Sequence, residues 1–254
     1  MDIKAELISI GNELLSGRTL NTHGQDLGAA LSAIGLQLVR DTTIPDETAI
    51  IQGAVQEALN RTDLVFVSGG LGPTVDDITR DALARLLGRN IVLHQPTVDY
   101  LHGWYEKRNR KMTAAGERQA LVLENAVVLP NSVGAAPGER IELSEGTTLF
   151  VLPGPPNEFN AILTEEIIPW LKGRYTQARP RLVRVVQTKG IGESDIVTIL
   201  EASRFQPAHI DLGFYPGMGK VEIRLTALPD YPLEIDDAVE RLRSMLSGYL
   251  DPDA

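Results

Sequence analysis

Cysteine is missing altogether from these 254 residues, which removes disulfides, thiolate metal centres and a cysteine nucleophile from the available chemistry. No stretch approaches the roughly 18 uninterrupted apolar residues of a membrane span, so no membrane partner is expected. The opening MDIKAELISIGNELL has neither the basic start nor the apolar core of a signal peptide. A cytoplasmic location is the expectation that follows. Basic charge is also scarce: 24 Lys and Arg against 34 Asp and Glu leave −10. Duplex nucleic acid asks for a basic face, so a nucleic-acid partner is not expected. A small phosphorylated ligand stays open, because one local basic cluster can serve it. The four histidines, His23, His94, His102 and His209, show no metal spacing. There is no Ser-His-Asp arrangement and no G-x-S-x-G elbow, which favours metal-assisted chemistry over a protein nucleophile.

What is present reads as an ordinary soluble globular composition, 43% apolar with mixed charge and no repeat. The first half alternates strand and helix signals. Strands are predicted at 5–10, 36–44 and 64–67, separated by helical patterns at 21–34 and 46–60. Helix-length crossovers between short apolar strands imply a mostly parallel α/β sheet flanked by helices. Further helices are expected near 77–87, 97–108 and 113–122, strands at 126–129, 139–143 and 148–152, and a closing helix over 157–171. The polar stretch KGRYTQARP marks a boundary, giving a first domain over 1–172 and a second over 180–254. The second domain has the order strand 182–188, helix 194–202, strands 209–214 and 221–227, helix 233–250. That order suits a smaller α+β domain.

Ligands of open parallel sheets sit beyond the carboxyl ends of the strands, so the residues after each strand are the ones to weigh. They are Gly11, Asn12 and Glu13; Pro45 and Asp46; Ser68-GGLGPTVDD-Asp77; and Pro153-GPPNE-Glu158 with Gly154 and Glu158. Gly69, Gly70 and Gly72 allow close backbone approach to an anion, and the following helix offers its positive end. Asp76 and Asp77 would repel a phosphate unless a cation such as Mg²⁺ or Mn²⁺ lay between. The competing reading is a plain helix start, with Thr74 and Asp77 as a near-capping box. This is neither a Walker loop nor G-x-G-x-x-G, and spacing alone leaves both readings open. Asn21 reads either as a helix cap or as a ligand contact. Glu13 reads either as an exposed loop acid or as a metal or hydroxyl ligand. Lys107-RNRK-Lys111, with Arg118 one helix later, is either a solvated helix end or a clamp on a diphosphate through Arg108 and Arg118.

GNELLSG with Asn21-Thr22, SGGLGPTVDDIT, NSVGAAPG and LPGPPNE occur in an order that resembles the CinA (competence/damage-inducible) family. That family's first domain is similar to the molybdopterin-binding domains of molybdenum cofactor biosynthesis, and the likeness spans about 3–171. GIGES at 190–194 and VEIRLTA at 221–227 resemble its second, KH-like domain. The resemblance implies a nucleotide- or pterin-phosphate site. It also implies hydrolysis of ADP-ribose to AMP and ribose 5-phosphate with a divalent metal (Mg, Mn or Co). On motif position Glu13, Asp76 and Asp77 would surround metal and diphosphate, with Asp76 and Asp77 as metal ligands and Gly69, Gly70 and Gly72 as the cradle. The alternative is a non-catalytic molybdopterin- or nucleotide-binding module. The family's third, deamidating domain has no counterpart within these 254 residues, so that activity is not carried over. Val75 stands where the family usually has proline. The tail offers only Gly190-Ile-Gly192-Glu193 and Gly217-Met-Gly219-Lys220 in place of the G-x-x-G of nucleic-acid-binding KH domains. It reads as a structural or dimerising module, with a homodimer expected.

Overall fold

The computed structural model describes residues 3–143 and 146–252; the outermost ends of the two expected domains, 1–2 and 253–254, lie outside the described residues. The chain divides into two compact units, Met1–Ala178 and Arg179–Ala254. The first unit carries strands β1 (Lys4–Ile10), β2 (Gln37–Ile44), β3 (Leu64–Ser68), β4 (Ile91–Leu93), β5 (Leu121–Leu123), β6 (Val127–Leu129), β7 (Gly138–Glu142) and β8 (Thr148–Leu152). Six of them form one sheet in the order β2-β1-β3-β8-β7-β6. The first four run parallel, and β7 and β6 return antiparallel at one edge. This is the mostly parallel, helix-flanked sheet that the alternating pattern implies.

The sheet is buried on both faces, and its side chains divide by the two-residue period of a strand. Ala5, Leu7, Leu64, Phe66, Phe150 and Leu152 face one core, with Leu27 and Leu31 of helix His23–Ser32 and Phe159 and Ile162 of helix Pro156–Ile162. Ile8, Ile10, Val65, Val67, Leu149 and Val151 face the other, with Ile51 and Val55 of helix Thr48–Leu59 and Leu83 of helix Thr79–Leu87. Phe66 and Phe150 are register partners and stack at 4.8 Å, a pairing worth about 0.5–1.5 kcal/mol beyond burial. A shift of one residue in either strand would move the whole set to the wrong core.

Two expectations need correction. The helix predicted over 113–122 is a single turn, Ala114–Glu117, and a 3-10 turn, Arg118–Ala120, leading into β5, which pairs antiparallel with β4. Leu121–Leu123 directly follows the helical run at 113–120, with no turn residue to separate the two patterns. The helix predicted from Asp77 begins at Thr79, because residues 71–78 are held in an irregular turn instead. The closing helix runs on from Pro156–Ile162 through a π turn, Leu163–Ile167, into Ile168–Arg174. Pro169 has no N–H and its ring crowds the carbonyl four residues back, and the wider turn relieves that conflict.

The second unit has β9 (Leu182–Lys189), helix Glu193–Ala202, β10 (Ile210–Gly217), β11 (Lys220–Ala227) and helix Pro232–Met245. Its antiparallel sheet, order β10-β11-β9, covers a separate core that includes Val186, Ile196, Ile223, Leu225, Ile235 and Leu242. Gly217 and Lys220 pair across a two-residue hairpin turn in which Gly219 takes φ +70°. Gly190 and Gly192 lie between β9 and the following helix. Neither glycine pair joins two helices. No helix among the described residues is long and apolar enough to cross a membrane.

Candidate functional site

The first crossover leaves β1 for β2 on one side, and the next returns to β3 on the other. The strand order therefore reverses at β1, and a crevice opens at the carboxyl ends of β1 and β3. A cleft of about 500 Å³ lies there, lined by the loops after β1, β2, β3 and β8.

Glycine lets those loops meet. Gly69 has φ +107°, and a Cβ on it would sit 2.2 Å from the Ile10 carbonyl oxygen at the end of β1. Gly70 has φ +67°, and a Cβ there would meet Thr79 Oγ1 at 2.2 Å. No side chain fits either place. A Cβ on Gly154 would lie 3.5 Å from the Gly69 Cα, an ordinary contact distance, so the turns after β3 and β8 run side by side. The Gly69 amide donates to the Leu152 carbonyl at 3.0 Å, and the Thr79 amide to the Gly70 carbonyl at 3.3 Å.

The acids of the cleft are folded back over glycines. The Glu13 carboxylate lies over Gly11 and that of Asp77 over Gly72. Asp77 Oδ2 accepts from the Thr74 amide at 2.7 Å and from Thr74 Oγ1 at 2.6 Å. Thr74 Oγ1 is also in hydrogen-bond contact with Asp76 Oδ1. The capping-box expectation is corrected here: Asp77 closes the turn at Thr74, before the helix begins, and does not cap the helix. One hydroxyl hydrogen between two carboxylates leaves most of their charge unanswered. That hydroxyl holds the Asp76 carboxyl below the usual carboxylate range. Val75, at the tip of the turn, is 90% exposed and packs against nothing that would require a proline.

Glu158 closes the opposite wall. Its Oε2 accepts from Asn131 Nδ2 at 2.5 Å, and a Cβ on Gly134 would collide with it. Burial pushes its carboxyl up, against the pull of Asn131 and the Ala135 amide. Tyr100 donates to the Gly134 carbonyl at 3.1 Å, and burial pushes its hydroxyl up, against the pull of Arg108 and with Glu158 adding to the rise. Arg108 stacks 3.6 Å over Trp104, near this wall but not in the lining of the cleft.

Of the residues singled out from sequence, the cleft gathers Gly11, Glu13, Asn21, Gly69, Gly70, Gly72, Asp76, Asp77, Gly154 and Glu158. Asn12, Thr74, Arg108 and Arg118 are outside its lining. The Asn12 amide donates to Asp46 Oδ2 at 2.8 Å, and Arg118 is exposed on the 3-10 turn. Asn21 keeps both of its readings: Oδ1 accepts from the His23 amide at 3.1 Å, a helix-start contact, while the residue lines the cleft. His23, set aside in the sequence for want of metal spacing, also lines the cleft, together with Ser68, which opens the loop weighed after the third strand, and Gln119. His23 had the one available signal, a histidine two residues beyond a motif asparagine.

The carboxylates suit a hard divalent cation only in part. Among the described residues no three His, Cys, Asp or Glu side chains converge as a metal cage. Asp76 and Asp77, drawn to one hydroxyl, offer the one or two carboxylates with which Mg²⁺ is ordinarily held when ligand phosphates complete its shell.

Residues 6–173 match a family model described as "Probable molybdopterin binding domain". Over 255 aligned residues the chain is 37% identical to a "Putative competence-damage inducible protein" of Shouchella clausii, covering 98% of this chain and 60% of that protein. It is 35% identical to a "CinA-like protein" of Akkermansia muciniphila, covering 98% of this chain and 59% of that protein. Among solved structures it is similar to the protein CinA, of unknown function, from Thermoplasma acidophilum, at 33% identity and TM-score 0.59. That match covers 65% of this chain and 98% of the other. The chain thus spans about 60% of the length of these curated relatives.

Proposed function

The chain belongs to the CinA family of competence-damage inducible protein homologues, with that family's molybdopterin-binding-type domain over residues 6–173, and on that premise we propose that its cleft binds a nucleotide or pterin through a phosphate group and hydrolyses an ADP-ribose-like diphosphate. The observation that carries this reading is the pairing, after β3, of an unsubstitutable glycine turn with two carboxylates drawn to a single hydroxyl. Backbone amides of such a turn suit phosphate oxygens, and the carboxylates suit the cation that accompanies them. Asp76 and Asp77 would hold a divalent metal, which supplies charge neutralisation at the diphosphate and a more acidic bound water.

The chain's own groups do the rest. Gly69, Gly70 and Gly72 let the turn pack closely against Ile10, Thr79 and Asp77, which keeps its main chain at the cleft for a ligand's phosphate to meet. Glu13 and Asp46, on the neighbouring loops, line the same opening and can accept hydroxyl hydrogens from a sugar. In the hydrolysis, water oxygen bonds to one phosphorus, the bond from that phosphorus to the bridging oxygen breaks, and the displaced phosphate leaves as ribose 5-phosphate or AMP. The water's proton passes to solvent or to a cleft carboxylate.

Purified protein incubated with ADP-ribose and Mg²⁺, Mn²⁺ or Co²⁺ is expected to release AMP. Asn at position 77 can still accept from the Thr74 amide but has lost the charge, so Asp77→Asn is expected to fold normally and lose turnover at least tenfold. No AMP with any of the three metals would sink the hydrolase reading. The lack of a ready-made metal cage among the described residues favours a second reading, a non-catalytic binding module. Retention of intact ADP-ribose or a pterin phosphate, with metal present and no product, would establish that one.

A further inference from the structure

His23 is the one buried titratable group of the cleft that the proposed chemistry leaves unused. It is only 4% exposed, and its ring stacks face to face on Phe159 at 4.3 Å with a 13° interplanar angle. Its Nδ1 lies 3.2 Å from Ser68 Oγ, and Ser68 Oγ lies 3.0 Å from the Pro153 carbonyl oxygen. Nε2 is buried without a partner.

The hydrogens in this chain can be counted. A carbonyl oxygen only accepts, so Ser68 satisfies Pro153 by giving its single hydrogen there, and then it can only accept from His23. That arrangement requires Nδ1–H and a lone pair on Nε2. In the other tautomer Ser68 would have to donate to Nδ1. Pro153 would then lose that bond. Burial pushes the His23 imidazole down from its ordinary range, although Asp26 and the Gly154 carbonyl pull the other way. The start of helix His23–Ser32, a positive dipole end, also disfavours an imidazolium there.

We propose that His23 is the positioning residue of the glycine turn: fixed in the Nδ1–H tautomer, it donates to Ser68 and through it holds the Pro153 carbonyl, so the turns after β3 and β8 form one wall of the cleft. Both linked residues immediately precede glycines of the two turns, Gly69 and Gly154, and a Cβ on Gly154 would come within 3.5 Å of the Gly69 Cα. The Ser68–Pro153 bond therefore fixes how close those two turns lie, and His23 fixes the orientation of the Ser68 hydroxyl. The importance of this wall for a ligand rests on the phosphate-site reading above. The existence of the relay does not.

The first test needs no ligand. Long-range ¹H–¹⁵N spectra of the full chain should show His23 neutral with Nδ1 protonated; an Nε2–H tautomer would overturn the proposal. Three variants then separate relay from packing. His23→Phe keeps a ring on Phe159 and removes the donor. It should move the Gly69 and Gly70 amide resonances and weaken ADP-ribose binding about fivefold, the equivalent of one neutral hydrogen bond. His23→Asn loses the stack but places an amide N–H near the Nδ1 position. It should restore much of the affinity and the amide shifts even where its melting temperature is lower. His23→Gln, which places its N–H near Nε2 instead, should restore neither. Wild-type-like amide shifts and binding in His23→Phe, or no advantage of Asn over Phe, would overturn the assignment. Should the wild type not bind ADP-ribose at all, the ligand reading fails, and the tautomer and amide shifts alone decide this one.

Discussion

At the scale of single residues, most of the site's geometry depends on places where a Cβ cannot exist. Gly69 combines φ +107° with a carbonyl 2.2 Å from the missing Cβ, whereas Gly17, at φ +71°, has nothing within 4 Å. The two positions separate backbone strain from collision. Gly17→Ala is expected to lower stability by about 1 kcal/mol, read as a shift in the urea midpoint. Gly69→Ala adds displacement of the β1 end and should cost about 3 kcal/mol or more, since it combines strain with overpacking. A Gly69→Ala protein as stable as Gly17→Ala would mean the turn is not held against β1. Histidine titration gives a second prediction. With the His23 pKa lowered in the fold, the unfolded chain takes up a proton that the native state refuses once pH drops below the ordinary value near 6.5. The stability associated with this residue is therefore complete above that value and lost as pH falls toward the folded pKa. Glu158, whose carboxyl is raised by burial, acts in the opposite sense above the ordinary carboxylate range. The comparison must therefore be between wild type and His23→Phe. Between about pH 8 and pH 5 the wild type should lose stability relative to the variant, by at most about 1.4 kcal/mol per pH unit. A difference that is flat across that window would show that His23 titrates in the fold as it does unfolded.

At the scale of elements, helix Thr79–Leu87 carries the acid turn at its start, and its anchor is a buried ion pair. Arg80 Nε lies 3.0 Å from Glu139 Oε1, both side chains are buried, and Glu139 Oε2 accepts from the Leu123 amide at 2.7 Å. One carboxylate thus joins the helix, β7 and β5. Burial pushes the Glu139 carboxyl up, against Arg80 and the Leu123 amide. Arg80→Met strands that acid and should cost about 3–5 kcal/mol, while Arg80→Met with Glu139→Leu should cost distinctly less. Chemical denaturation of the double-mutant cycle measures the coupling, and a double variant as damaged as the sum of the singles would refute it. Nothing in the sequence around Arg80 announced this pair, because its partner stands 59 positions away. What could be read locally was read well. The run 64–67 is short, wholly apolar and placed between helical patterns, the run 148–152 is apolar after its first residue and leads into the closing helix, and they form the two central strands. The chain also punctuated the site with glycine and proline after each strand, so the loops that gather around the cleft were visible. What escaped was the non-periodic or non-local: the short strand pair β4 and β5, the turn that Asp77 closes at Thr74, and His23. The neighbours that make His23 special, Ser68, Pro153 and Phe159, arrive from three other segments.

At the scale of the whole molecule, the two units have separate cores, so cooperative unfolding need not join them. The chain supplies its own probe for this. Both tryptophans, Trp104 and Trp170, lie in the first unit, so tryptophan fluorescence follows that unit alone, while far-ultraviolet circular dichroism follows both. Substituting Ile223, fully buried in the second core, by alanine removes three carbons from a packed interior and should destabilise that core by about 2–5 kcal/mol. If the units unfold independently, the fluorescence midpoint in urea stays where it is in the wild type, and the circular dichroism curve splits or moves to lower urea. The reciprocal variant, Phe66→Ala, empties a site in the core against one face of the large sheet and should move the fluorescence midpoint instead. A fluorescence midpoint that followed Ile223→Ala would mean the two cores unfold as one. In that case the cost of any substitution in the second unit would be felt at the cleft, and the position 69 and position 23 variants would have to be interpreted against global rather than local stability.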